Sequence, residues 1–98
     1  MTEVLERLQT WYSQQCNGEW EHDSGIQIGT LDNPGWTVDI DLSGTNLENA
    51  QLEKSKTERS PQDWLVVWTE NTKFKARGGP YNLTEILETF LNWAKRIQ

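Results

Sequence analysis

The chain is poor in several residue types, and each shortage excludes something. It has one cysteine in 98 residues, so no internal disulfide forms, and a lone thiol agrees with a reducing compartment. It has one histidine, and Cys16 and His22 fit no zinc-ligand spacing, so no metal is expected. No apolar run is long enough to cross a bilayer, and the N-terminus lacks a basic start followed by an apolar stretch. A cytoplasmic protein with no membrane association is expected. Cations are the minority, nine Lys and Arg against fifteen Asp and Glu, for a formal net charge of −6. That sign is wrong for a nucleic-acid binder and repels anionic lipid, whereas it attracts basic proteins. Solubility alone also accounts for a mildly acidic chain. Glycine-rich phosphate cradles are missing too: Gly78-Gly79 has neither the preceding glycine pattern nor a following Lys-Ser/Thr, and no cofactor is expected.

Tryptophan is plentiful. Of six Trp residues, three fall between Trp11 and Trp36, WYSQQCNGEWEHDSGIQIGTLDNPGW, among the only Cys, the only His and several acids. Each indole brings a large apolar area and one donor that wants a partner. Such a segment is either an unusual core or a recognition surface. Trp20 and Trp36 fit both, since they can also pair beneath the 17–25 loop.

The length and a 35% hydrophobic, 24% charged composition fit one folded domain over residues 1–98. Val4, Leu5, Leu8, Trp11, Tyr12 and Gln15-Cys16 recur at three- and four-residue steps, predicting a helix over 3–16 that stops at Asn17-Gly18. Residues 25–31 read as a short strand. Asp32-Asn33-Pro34-Gly35 reads as a turn in which Pro presets one dihedral and Gly takes a positive φ. Residues 36–42 alternate cleanly, with Trp36, Val38, Ile40 and Leu42 on one face and Thr37, Asp39 and Asp41 on the other. Residues 43–50 are a polar loop, 51–59 a candidate polar edge strand, and 60–63 a second turn. Trp64–Thr69, apolar on both faces, is expected to be the central strand. Lys73–Arg77 alternates with basic residues on one side, and Gly78-Gly79-Pro80 breaks it. Asn82 and Glu85 resemble a capping box ahead of a helical stripe of Leu83, Ile86, Leu87, Phe90, Ala94 and Ile97. The expected fold is α+β: an antiparallel sheet of four to five strands with the N-terminal and C-terminal helices packed on one face.

With both helices on one face, the other face presents Asp39 and Asp41 together with apolar residues of strand 64–69. Aromatic rings amid carboxylates suit a protein interface, because Trp is enriched among binding hot spots and acids steer a basic partner. The competing view is that strand 64–69 is central and covered by its neighbours. For chemistry, Cys16 and His22 make a conceivable nucleophile pair, but Cys16 sits on the apolar side of a helix, where a free thiol usually packs as a small hydrophobe. Asp39 and Asp41, two apart on one strand face, look solvated rather than poised as an acid–base pair.

The pieces WYSQQCNGEWEH, GIQIGTLDNPGW, IDLSGT and GGPYNLTEILETFLNWA resemble the immunity protein 53 family of bacterial polymorphic toxin systems, over about residues 8–95. The family's motif positions fall on Trp11, Gln15, Cys16, Trp20, Glu21, His22, Asp32, Asn33, Pro34, Gly35 and Trp36. The resemblance implies a small, non-catalytic cytoplasmic α+β protein. Its partner would be the effector domain of a cognate toxin, expected to be basic, a nuclease being one instance. Neutralisation would come from covering the toxin's active or substrate-binding region. The contact candidates are Trp20, Glu21, His22, Asp23, Asp32, Asp39 and Asp41, with Trp64 and Trp68. Trp11, Cys16, Asn33, Pro34, Gly35 and Trp36 are expected to serve the fold. The rival readings are a small sulfurtransferase- or hydrolase-like enzyme using Cys16 and His22, and a general interaction module.

Overall fold

The computed structural model describes residues 3–97. Its elements run α1 (Glu3–Gln15), α2 (Trp20–Asp23), β1 (Ile26–Leu31), β2 (Gly35–Asp41), β3 (Ser55–Ser60), β4 (Asp63–Glu70), β5 (Lys73–Gly78) and α3 (Leu83–Ile97). The five strands form one antiparallel sheet in the order β1-β2-β5-β4-β3. The fold class is the expected α+β.

Strand period explains which face is buried, since alternate side chains share a face and directly paired residues face the same way. Val38 and Ile40 pair with Ala76 and Phe74, and Ala76 pairs in turn with Val67. All five are buried, as are Leu65, Leu42 and Leu47. Onto this face α3 lays Ile86, Leu87, Phe90, Leu91, Trp93 and Ala94, and α1 adds Val4, Leu8 and Trp11, in one continuous apolar cluster. A chain of aromatic contacts ties the layers together: Phe74 meets Phe90 at 5.0 Å, Phe90 meets Trp11 at 4.9 Å, and Trp11 meets Trp20 at 5.9 Å between ring centroids. Edge-to-face geometry of this kind adds roughly 0.5–1.5 kcal/mol per pair beyond area burial.

Four expectations need correction. The central strand is β5, and β4 lies between it and the edge strand β3. The buried positions of β5 are Phe74, Ala76 and Gly78, two of them too small to look apolar, and its other face is basic. Residues 20–23, expected as loop, form a helical turn. It is nucleated by Asn17, whose Oδ1 accepts the amides of Glu19 and Trp20 at 3.0 Å each. Positive φ occurs at Gly18 and Gly44 among the glycines, not at Gly35. Gly35 instead begins β2 where a Cβ would run into the Gly78 carbonyl, so its need is close backbone approach. Finally, Asn82 and Glu85 do not make the two bonds of a capping box: the Asn82 amide donates to the Gly79 carbonyl at 3.1 Å, and the Asn82 side chain is used elsewhere. Asn82 is 3% exposed, accepts the Trp64 amide on Oδ1 at 3.3 Å, and donates from Nδ2 to Asp63 at 2.9 Å and Glu85 at 3.1 Å. The start of α3 is thereby fastened to the start of β4. Arg59 completes the group with a two-pronged bond to Asp63, at 2.9 and 2.8 Å, and a further bond to Glu85 at 2.6 Å.

Candidate interaction face

The face of the sheet turned away from the helices is built from the alternate residues of the same strands. Register sets out its rows. Asp41 lies beside Lys73, and Lys73 beside Glu70. Gln27, Asp39, Lys75 and Trp68 follow in a second row. Gly29, Thr37, Arg77, Val66 and Lys56 make the third, and Trp64 faces Glu58 beyond it. Trp64, Val66 and Trp68 are half-buried and lie outside the helix-side core cluster.

The acids here are not free. Asp39 Oδ1 accepts Arg77 at 3.0 Å, with Lys75 Nζ 3.9 Å from its other oxygen, and Lys73 Nζ stands 3.3 Å from Asp41. Asp41 also accepts the Gly25 amide at 2.8 Å. The sequence reading of Asp39 and Asp41 as solvated acids is therefore corrected: β5 lies beside β2, and its row of cations answers their row of carboxylates. Pairs this exposed contribute little to stability, but they leave the platform locally neutral. Trp68 is the best-supported ring on it. Its Nε1 donates to Glu70 at 3.0 Å, and Lys54 and Arg77 lie 4.9 and 5.7 Å from its ring centroid, within cation–π range. Beside it opens a notch of about 500 Å³ between residues 48–54 and the β4–β5 turn, with Glu48, Glu53 and Glu70 on its wall.

The other candidates lie elsewhere. Trp20 is 5% exposed, packed against Trp11 and Tyr12 rather than Trp36, and its indole N–H has no partner among the described residues; it belongs to the core. Glu21 accepts the amides of Asn17 and Gly18 at 2.8 and 2.7 Å. These bonds and, foremost, one from its own amide hold its carboxyl below the ordinary range, so its oxygens are spent on closing the α1–α2 turn. His22 and Asp23 are exposed on α2, and Asp32 is exposed in the β1–β2 turn. Trp36 stands on the helix side, half-buried, its Nε1 bonded to the Pro80 carbonyl at 3.0 Å. Asn33 and Pro34 are exposed in the turn. Cys16, half-buried, donates its Sγ to the Tyr12 carbonyl at 3.3 Å, one helical turn back. Sequence reasoning passed over Lys54 and Tyr81, the last 86% exposed. The basic row was findable, because Lys73, Lys75 and Arg77 repeat at period two as Asp39 and Asp41 do.

A family model described as immunity protein 53 matches residues 5–95. The chain belongs to the immunity protein 53 family. No curated protein and no solved structure matches it. Membership of an immunity protein family indicates a toxin-neutralising role and a toxin as partner, and such families are generally non-enzymatic. Among the described residues no helix is long and apolar enough to cross a membrane.

Proposed function

We propose that this immunity protein 53 family member protects its cell from a cognate polymorphic toxin by stoichiometric binding. In this reading it lays the helix-free face of its sheet over the toxin's active or substrate-binding region. One observation carries the choice of face: two half-exposed indoles, Trp64 and Trp68, stand on the sheet face away from the helices beside a notch walled by Glu48, Glu53 and Glu70. Indoles in a sheltered setting supply most of an interface's energy. The ion-paired row of Asp39, Asp41, Lys73, Lys75 and Arg77 supplies a flat polar surround that fixes orientation more than affinity. The net charge of −6 favours a basic toxin, a nuclease being one instance, and the notch suits one of its Lys or Arg side chains. The site of action is the cytoplasm, where bacterial competitors deliver such toxins.

The test is co-expression with the toxin domain encoded by the adjacent gene, scored by survival and by titration of the purified pair. The wild type is expected to protect and co-purify. The double variant W64A/W68A is expected to bind at least 100-fold more weakly, since hot-spot truncations cost about 2 kcal/mol or more each, while its thermal unfolding stays cooperative. Failure of the wild type to bind defeats the role; undiminished binding by the double variant defeats the choice of face.

A further inference from the structure

The two edges of the sheet are finished differently. On β3 every residue is exposed. It carries Lys56, Glu58 and Arg59, and its register slips between Glu58 and Ser60. Charge and irregular pairing are the usual means of stopping another chain from adding to an edge. At the opposite edge, β1 has neither: Ile26-Gln27-Ile28-Gly29-Thr30-Leu31 contains no charge and no proline, and pairs with β2 in unbroken register.

The phase of that pairing shows which backbone groups remain available. The Asp41 amide donates to the Gly25 carbonyl at 3.0 Å, so Gly25 and Asp41 form a bonded pair of the antiparallel ladder. Bonded and non-bonded pairs alternate. Gln27, Gly29 and Leu31 therefore turn their N–H and C=O groups toward β2, whereas Ile26, Ile28 and Thr30 turn theirs outward. No loop or side chain among the described residues bonds to those outward groups. Ile28 beside them is 43% exposed. Asp23 just before the strand and Asp32 just after it are exposed, and neither has an ion-pair or hydrogen-bond partner among the described residues.

We propose that β1 is a strand-addition site, and that its occupant is an extended segment of the toxin. That segment pairs its backbone with Ile26, Ile28 and Thr30, covers Ile28 with an apolar side chain, and carries Lys or Arg toward its ends, where Asp23 and Asp32 wait. The proposal rests on the toxin-neutralising reading and adds a contact on a part of the fold remote from Trp64 and Trp68. Main-chain pairing supplies affinity and the flanking charges supply direction, as in other strand-addition complexes. A second copy of this chain fits the edge less well. A two-fold axis through Ile28 would set Asp23 of each copy beside Asp32 of the other, in a chain already carrying −6.

The experiment is hydrogen exchange and titration on the full chain with the adjacent-gene toxin domain. On binding, the amides of Ile26, Ile28 and Thr30 are expected to slow at least tenfold. I28P removes an outward N–H and leaves the β1–β2 ladder its bonds; a tenfold or greater loss of affinity is expected. D23K/D32K is expected to slow association several-fold at low salt, the difference closing at high salt as screening demands. If the wild type binds the toxin but the three amides keep their exchange rates, strand addition is wrong and the toxin-neutralising role stands. If I28P does not fold, exchange on the wild type decides alone. Protection that appears without toxin and grows with protein concentration overturns the proposal in favour of self-pairing. Absence of wild-type binding defeats the underlying role itself.

Discussion

The β4–β5 turn offers a perturbation whose size follows from the backbone. Glu70 pairs with Lys73, so Asn71 and Thr72 are the whole loop, and both have positive φ, 55° and 60°. That is the two-residue hairpin turn that matches strand twist and asks for left-handed residues at both places. Asn tolerates the conformation; Thr does not, because a branched Cβ crowds the backbone there. An ordinary L-residue in this region costs about 1–2 kcal/mol. Glycine avoids that cost but loses about 0.5–1 kcal/mol through the freedom of the unfolded chain. Thr72 makes no side-chain hydrogen bond among the described residues, and its carbonyl, which accepts the Leu42 amide at 3.0 Å, is kept by glycine. T72G is therefore expected to stabilise the protein by about 0.5–1 kcal/mol, raising Tm by about 2–8 °C for a domain of this size. Urea unfolding at constant m measures it. A Tm that is unchanged or lower, with m unaltered, would show that the turn carries no strain and that the argument from its dihedrals is mistaken.

Other outcomes follow from single contacts. G35A forces a methyl group against the Gly78 carbonyl and should cost about 3 kcal/mol, the upper range for overpacking against an obstacle that cannot rotate away; chemical denaturation reads it. The Arg59 guanidinium, then the Asn82 amide, hold the Asp63 carboxyl down at about 2 from an ordinary 3.8. A depressed carboxyl stabilises the fold above its unfolded-state pKa, and that contribution is lost as pH falls from about 4 toward 2. D63N should show a flatter acid limb in Tm against pH than the wild type. W20F discards an indole N–H that is buried without a partner among the described residues, relieving about 1–3 kcal/mol of unmet hydrogen bonding against the area lost. Its net cost should stay under about 1 kcal/mol, whereas W20A should lose about 3–5 kcal/mol; a W20F penalty above 2 kcal/mol would mean the donor is satisfied in solution. C16S should leave toxin protection intact, because the thiol is spent on the Tyr12 carbonyl; lost protection with an unchanged melting temperature would reopen a chemical role for it.

How much was legible depended on periodicity. Strand β2 and helix α3 each bury one face, so Val38 and Ile40, or Ile86, Leu87 and Phe90, announce themselves at steps of two or of three and four. Helix α2 has four residues, too few to show a period, and its cause is local, the Asn17 side chain. The centrality of β5 was hidden because Ala76 and Gly78 fill its buried side while Lys75 and Arg77 line the other. The pairing of β2 with β5 joins residues far apart in the chain, so the cations beside Asp39 and Asp41 came from a neighbour that no turn signal reveals. Gly35 was read through the turn it follows, and its true constraint lies in the Gly78 backbone across the ladder. The face candidates Trp64 and Trp68 were legible as apolar excess on a strand already buried on its other side. Lys54 was not, since only the folded path of the chain beside β4 brings it over the Trp68 ring.

The strand order has a further consequence for how this antidote is made. Cut anywhere in the loop between β2 and β3, the chain would divide into a front portion holding α1, α2 and one hairpin, and a rear portion holding β3, β4, β5 and α3. The two would share the β2–β5 ladder and the α1–α3 seam. Neither portion owns a finished sheet, so almost the whole polypeptide must leave the ribosome before the sheet can close. The same layout makes the loop a natural seam for splitting the molecule into two complementing fragments, whose reunion would restore the shield only where both are present.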